Sequence, residues 1–313
     1  MKREREDINF FQRYLTLWVL LCMGVGIFLG KFFPQMTSFV SSLQVEGISV
    51  PIAILIWIMI YPMMIKVDFE SIKEVGKNPK GLFVTWVTNW LIKPFTMFGI
   101  SYLFFFIIFK NLIPEDLAKD YLAGAVLLGA APCTAMVFVW STLTKGDPAY
   151  TVVQVATNDL IILVAFIPIV KFLLGVSNVI VPYKTLLVSV LLFVAVPLLA
   201  GVVTRKYVVG KKGKDYFEEE FVNKFDGITT IGLLLTLVLI FSSQADVIVE
   251  NPVHIILIGI PLILQTIFIF TIAYLASKFL KLPFKIAAPA GLIGASNFFE
   301  LAVAVAVALF GVG

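Results

Sequence analysis

A proline and a cysteine stand side by side near the centre of one long apolar stretch of this sequence. Pro132 and Cys133 lie within residues 121–142, a stretch long enough to cross a lipid bilayer as a helix. Proline removes a backbone donor and collides with the preceding helical turn, so the carbonyl groups that it frees must be covered by protein or by a water-filled cavity. The pair therefore predicts a helix that is broken in mid-membrane, with a soft nucleophile at the break.

The chemistry expected of Cys133 is soft-ligand binding. We expect it in the first turn of the half-helix that starts at the break, where the partial positive charge of the helix end favours a thiolate. Thiolates select thiophilic metals or a trivalent metalloid. A free cysteine can equally be a small buried apolar residue, which is our interpretation of Cys22. The two cysteines of the chain form neither a zinc motif nor a disulfide framework, and no metal site or cofactor is predicted.

A second break is predicted at Ser296 and Asn297, which interrupt the apolar stretch 286–310. Glu300 follows three residues after Asn297, and this spacing is also that of a capping box, in which the glutamate would close onto the start of the half-helix. A carboxylate inside a membrane is costly and usually marks an ion or proton path. The two interpretations are compatible, and the cost of the charge favours a functional Glu300.

Two further polar residues, Asn158 and Asp159, lie about two turns into the apolar stretch 151–174. They should face the protein interior, either on the proton path or in a polar cluster that fixes this helix against the breaks, and the sequence favours neither. Lys93 could pair with a carboxylate inside the protein or snorkel to a membrane boundary, and snorkelling is favoured. The predicted substrate-binding residues are Cys133, Ser296, Asn297 and Glu300, the proton-coupling residues are Glu300 and Asp159, and the supporting residues are Pro132 and Asn158.

The elements that position these residues are membrane helices. The chain is 60% hydrophobic and 14% charged, with a mean hydropathy of +0.99, which is typical of a polytopic membrane protein. The basic residues fall in separate short loops, so the net charge of +4 does not indicate nucleic-acid binding. Nine apolar segments are predicted to span the bilayer: 15–33, 48–65, 82–109, 121–142, 151–174, 183–204, 227–249, 253–276 and 286–310.

Orientation and repeats follow from the same segments. Most of the 24 lysines and arginines fall on one side if the N-terminus is cytoplasmic, as expected for a plasma-membrane protein. Residues 127–132 resemble residues 292–297, an offset of 165 residues that also relates the first span to the sixth. Five spans per repeat would invert the second copy, and inverted repeats with interrupted helices are typical of transporters. We therefore predict repeats at 1–176 and 177–313, a missing tenth helix and an open groove beside the ninth span.

At these motifs the chain resembles the arsenite efflux permeases of the arsenical-resistance type, within the bile acid/arsenite/riboflavin transporter superfamily. The resembling stretches are residues 131–141, 154–160 and 296–304, and residues 61–69 also fit. The resemblance implies an all-α membrane protein of ten helices in two inverted repeats, with helices 4 and 9 broken and crossing. It implies export of trivalent arsenite, sometimes antimonite, in exchange for protons, with Cys133 and Glu300 as essential residues.

Three alternatives are weaker. A sodium-coupled organic-anion transporter of the bile acid type would need no thiol at the break. A membrane enzyme would need a second cysteine nearby, paired aspartates or a Ser/His arrangement, and none is convincing. A receptor or scaffold would need longer loops or a soluble domain. The partners expected are therefore arsenite, antimonite, protons and the lipid bilayer, with no nucleic acid and a monomeric state.

Overall fold

A computed structural model of the chain describes residues 14–35, 42–45, 48–67, 79–133, 136–177 and 182–310. Helices account for nearly all of them. In chain order they are α1 Leu15–Phe32, α2 Val50–Ile65, α3 Lys80–Ile108, α4 Glu115–Gly129, α5 Met136–Leu143, α6 Pro148–Val176, α7 Tyr183–Lys212, α8 Lys214–Ser243, α9 Ala245–Glu250, α10 Pro252–Phe279, α11 Phe284–Ala295 and α12 Phe299–Phe310. The strands within these ranges are one antiparallel pair, β1 Gln44–Val45 and β2 Ile48–Ser49.

The prediction of an all-α integral membrane protein is confirmed. Six helical stretches are long and apolar enough to cross a bilayer, and α1 and α2 are shorter apolar helices. Large apolar side chains on these helices face outward, among them Leu17, Val164 and Ile263, each more than half exposed. Such surfaces are costly in water and suit contact with lipid. The orientation of the chain stays a prediction, and the charged segment 1–13 on which it partly rests lies outside the described residues.

Each of the nine predicted segments coincides with a helix or with two half-helices, but the boundaries of the sixth and seventh segments differ substantially. The sixth was predicted to end at 204, whereas α7 continues to Lys212. The seventh segment was predicted over 227–249, whereas α8 runs from Lys214 to Ser243 and α9 is a separate short helix. The charged residues 214–220 extend α8 before its apolar part. A hydropathy pattern marks only the apolar length of a helix, so it missed this extension.

Two of the helices are broken where the sequence predicted. Residues 130–135 separate α4 from α5, and residues 296–298 separate α11 from α12. The halves pair across the two breaks, because α4 packs against α12 and α5 packs against α11. The two broken helices therefore cross at their breaks. The inverted repeat and the division into residues 1–176 and 177–313 stay predictions.

Helix α3 lies against both broken helices. A Cβ atom placed on Gly129, at the end of α4, would come within 2.6 Å of the Met97 side chain. A Cβ atom on Gly294, near the end of α11, would come within 3.1 Å of the Thr88 methyl group. These two glycines allow α3 to approach the crossing closely on both sides, and Lys93 lies between Thr88 and Met97 in the sequence of α3.

The middle of α3 departs from α-helical geometry. Residues Thr88–Ile92 form a π turn, in which the Lys93 amide donates to the Thr88 carbonyl, and Pro94 follows at once. A proline cannot donate to the carbonyl four residues back and its ring collides with it, and the wider turn relieves this conflict. The same arrangement recurs in α7, where a π turn at Leu191–Ala195 precedes Pro197.

Helix α12 presents one half-buried stripe. Phe299, Val303, Ala306 and Val307 recur at helical spacing and are partly exposed, whereas most residues between them are buried. No residue of α12 whose side chain the structure describes is fully exposed. The face that was predicted to border an open groove is therefore a narrow, partly covered stripe.

Candidate functional site at the crossing of two broken helices

The crossing consists of residues 131–133 from the first break and residues 296–298 from the second. The Phe298 amide donates to the Ala131 carbonyl at 3.0 Å. The Cys133 amide donates to the Ser296 hydroxyl oxygen at 3.1 Å, and this hydroxyl donates to the Ile293 carbonyl at 2.7 Å. Each break thus satisfies backbone groups of the other, which is the condition for irregular backbone at membrane depth.

Cys133 lies at the centre of this arrangement. The residue is buried, with 8% of its surface exposed, and it packs against the apolar side chains of Val137, Val155 and Ile293. α5 is described from Met136, and residues 134–135 lie outside the described residues, so the place of Cys133 in the first turn of the half-helix stays a prediction. The described surroundings of the thiol are the two breaks and these apolar side chains. Pro132 is buried beside it.

Glu300 is the second residue of α12, directly after the second break, and it is 4% exposed. Its Oε2 atom has no hydrogen-bond partner among the described residues, and neither has the Oδ1 atom of Asn297. A capping box requires the Asn297 side chain to accept a hydrogen bond from the backbone amide of Glu300. That bond is absent from the described geometry, so the capping-box interpretation is wrong and Glu300 is left as a buried carboxyl group with free acceptor capacity.

Asn158 and Asp159 lie on α6 with very different surroundings. The Asn158 Oδ1 atom accepts from the Trp90 indole at 3.1 Å and from the Asn89 amide at 3.5 Å, both on α3. Both carboxyl oxygens of Asp159 are buried and have no hydrogen-bond partner in the described part of the chain. Asp159 lies one helical turn after Val155, which belongs to the same buried apolar cluster as Cys133. Asn158 therefore joins two helices, whereas Asp159 is a second unpaired carboxyl group near the crossing.

Lys93 is the site residue that the sequence interpretation missed. It was expected to snorkel, but it is fully buried, and its Nζ donates to the Ala131 carbonyl at 3.2 Å and to the Ser296 carbonyl. Lys93 lies near the middle of α3, and at about 1.5 Å per residue it is about 20 Å from the start of the helix. That distance is beyond the reach of a lysine side chain, and the π turn beside Pro94 is the further signal of an unusual position.

Two backbone carbonyls of the crossing that could bind a hard inorganic cation are already bonded to a side chain. Such cations require several oxygen ligands, usually carboxylates and carbonyls. The Ala131 and Ser296 carbonyls both accept from the Lys93 ammonium group. No group of three or more His, Cys, Asp or Glu side chains that could hold a metal ion occurs among the residues that the structure describes.

Comparison with known proteins adds a family and several relatives. Residues 53–251 match the model of the Sodium Bile acid symporter family. The Arsenical-resistance protein Acr3 of Alkaliphilus metalliredigens is 62% identical over 98% of this chain and 86% of its own length. The Arsenical-resistance protein Acr3 of Corynebacterium glutamicum is 33% identical over 97% of this chain and 82% of its own length. The Uncharacterized sodium-dependent transporter YocS of Bacillus subtilis is 21% identical over 90% of this chain and 77% of its own length.

Proposed function

This chain belongs to the Sodium Bile acid symporter family, and we propose that it exports trivalent arsenite from the cytoplasm in exchange for protons. It is a transporter and not an enzyme, as the family and the two arsenical-resistance relatives indicate. The observation that carries the substrate assignment is the thiol of Cys133 where two broken helices meet.

The thiol suits arsenite and does not suit arsenate. Near pH 7 arsenite is largely the neutral acid As(OH)₃, and a thiol that reacts with it forms one sulfur–arsenic bond and releases one water molecule. Arsenate is an oxyanion without affinity for a thiolate, so a soft ligand selects against it. The Ser296 hydroxyl and the Asn297 amide oxygen border the same crossing and supply polar contacts for the arsenic hydroxyl groups. Antimonite has the same thiophilic chemistry and is a second substrate of the proposal.

Glu300 is the proposed coupling site. A buried carboxyl group with an unpaired oxygen can hold a proton when it faces one side of the membrane and release it when access switches to the other side. Proton binding and arsenite binding at the same crossing would then alternate, which is the requirement for exchange. Asp159 is the second carboxyl group available for this path.

The alternative is a sodium-coupled transporter of organic anions, which the family description and the similarity to a sodium-dependent transporter suggest. Two features of the crossing argue against it. The carbonyls at the breaks are already bonded to Lys93, and the buried Cys133 has no role in binding a bulky anion. We therefore favour proton exchange.

The experiment is arsenite uptake into everted membrane vesicles, in which export from the cell becomes accumulation in the lumen. An acid lumen should drive arsenite accumulation, and a protonophore should abolish it. Cys133→Ser should abolish uptake while the protein remains folded, and Cys22→Ser is the matched control because it changes the other thiol of the chain. Arsenite uptake that does not depend on the pH gradient would exclude proton exchange. Equal uptake of arsenate would exclude substrate selection by the Cys133 thiol.

A further inference from the structure

The ammonium group of Lys93 bridges the two breaks. Its Nζ donates to the carbonyl of Ala131 in the first break and to the carbonyl of Ser296 in the second. Both carbonyls belong to irregular backbone, where the regular helical ladder is interrupted. A carbonyl freed in this way inside a membrane requires another partner. The Ala131 carbonyl already accepts from the Phe298 amide, and Lys93, from a third helix, adds a charged donor to this carbonyl and to that of Ser296 at once.

The position of Lys93 is fixed by two α3 side chains that lie close against glycines of the broken helices. Thr88 lies against Gly294 on α11, and Met97 lies against Gly129 on α4. Lys93 falls between these two contacts along α3, and it is completely buried. The two glycine contacts hold α3 against the crossing. The packing of α3 therefore places the ammonium group at the two breaks.

The same pair of carbonyls would suit an inorganic cation. Hard cations bind carbonyl and carboxylate oxygens, and unwound carbonyls at broken helices commonly coordinate the coupling ions of transporters. Glu300, a buried carboxyl group directly after the second break, is a further oxygen ligand that could contribute to such a set. In this chain the Lys93 ammonium group supplies the positive charge between these two carbonyls, and it is covalently attached to the protein.

We propose that Lys93 is the resident cation of the crossing: its ammonium group takes the place of a coupling ion between the two breaks and makes the transporter independent of sodium. This inference rests on the proposed function, because it concerns the same crossing. Lys93 acts as a positioning residue, since it holds the Cys133 and Ser296 segments together and does not itself bind arsenite.

The transport test uses purified protein in proteoliposomes with an imposed pH gradient, in sodium chloride or in N-methyl-D-glucamine chloride. Wild-type uptake should be equal in the two salts. Lys93→Ala leaves two buried carbonyls without their charged donor, so its uptake in N-methyl-D-glucamine should fall by about tenfold or more. Sodium should restore it at least about threefold, because a small cation can re-enter between the carbonyls. Lys93→Arg keeps the charge and should retain sodium-independent uptake.

Lys110→Ala is the matched control, because Lys110 is exposed and lies just beyond the C-terminal end of α3. It should behave as wild type in both salts. Three results would overturn the proposal: wild-type uptake that requires sodium, full uptake by Lys93→Ala in N-methyl-D-glucamine, or uptake by folded Lys93→Ala that is low and equal in both salts.

A second measurement separates this proposal from the proposed function. The melting temperature of the purified protein in detergent requires no arsenite. Sodium should raise the melting temperature of Lys93→Ala above its value in N-methyl-D-glucamine, and it should leave wild type unchanged. If wild type exports no arsenite but shows this difference, the proposed function fails and the role of Lys93 stands. If the melting temperatures of Lys93→Ala are equal in the two salts, the role of Lys93 fails whatever the substrate.

Discussion

Two adjacent residues of α6 should respond oppositely to substitution. Asn158→Leu keeps the approximate size of the side chain but removes the oxygen that accepts from the Trp90 indole at 3.1 Å and from the Asn89 amide at 3.5 Å. Asp159→Asn, one residue later, replaces a carboxyl group whose two oxygens have no hydrogen-bond partner among the described residues. The first change should lower stability, and the second should leave stability intact but impair coupling.

The loss of stability expected for Asn158→Leu follows from the two hydrogen bonds that the substitution removes. Trp90 is 7% exposed, so its indole N–H would become a buried donor without a partner, which costs about 1–3 kcal/mol. The contact with Asn89 is at the upper distance limit for a hydrogen bond and adds little. Hydrogen bonds between membrane helices contribute only about 0.6 kcal/mol on average. We therefore expect the free energy of unfolding to fall by about 1–2 kcal/mol, the lower part of the range for an unpaired buried donor. At about 2–4 °C per kcal/mol, the melting temperature should fall by about 2–8 °C.

The assay is thermal unfolding of the purified variants in detergent, paired with arsenite uptake driven by a pH gradient. Asp159→Asn replaces a buried carboxyl group that makes no hydrogen bond with an amide of the same size, so its melting temperature should equal or exceed that of wild type. Its uptake should respond less to the pH gradient than wild-type uptake does. An Asn158→Leu protein as stable as wild type, or an Asp159→Asn protein less stable than Asn158→Leu, would refute this division of roles.

Three other substitutions test the remaining features of the crossing. Glu300→Gln should abolish uptake driven by the pH gradient and leave the melting temperature within about 2 °C of wild type, because no capping bond is lost; retained coupling would contradict the role of Glu300. Gly129→Leu should push α3 away from the crossing and cost about 1–3 kcal/mol in detergent unfolding, whereas Gly124→Leu on the open face of the same helix should be neutral or stabilising. Cys133→Ser should cost all arsenite resistance in cells that lack other arsenite pumps, and Cys22→Ser should retain it, as a growth assay would show.

Both breaks could be predicted from the sequence because their causes are local. Pro132 removes a backbone donor and collides with the preceding turn, which favours a break without requiring one, since Pro168 and Pro261 lie inside the continuous helices α6 and α10. The polar pair Ser296 and Asn297 interrupts an apolar run. The apolar lengths of the helices were predictable for the same reason, since each segment must cross a bilayer of given thickness. The charged extension of α8 was not, because a helix outside the membrane leaves no hydropathy signal.

The partners of the buried polar residues could not be predicted in this way. Lys93 bonds to carbonyls that lie 38 and 203 residues away in the sequence, and a backbone carbonyl carries no residue type that a pattern could reveal. Asn158 and Asp159 looked alike in the sequence, and only the position of Trp90 on α3 distinguishes them. The position of Lys93 near the middle of an apolar helix did argue against snorkelling, and this signal was available before the structure.

The central claim is that Cys133 binds arsenite at the crossing, and thiol protection tests it most directly. In the Cys22→Ser protein Cys133 is the single thiol, so alkylation by iodoacetamide followed by mass spectrometry reports on this residue alone. Arsenite should slow the alkylation of Cys133 in a saturable way, and arsenate at the same concentration should have no effect. Alkylation of Cys133 at the same rate with and without saturating arsenite would contradict the account.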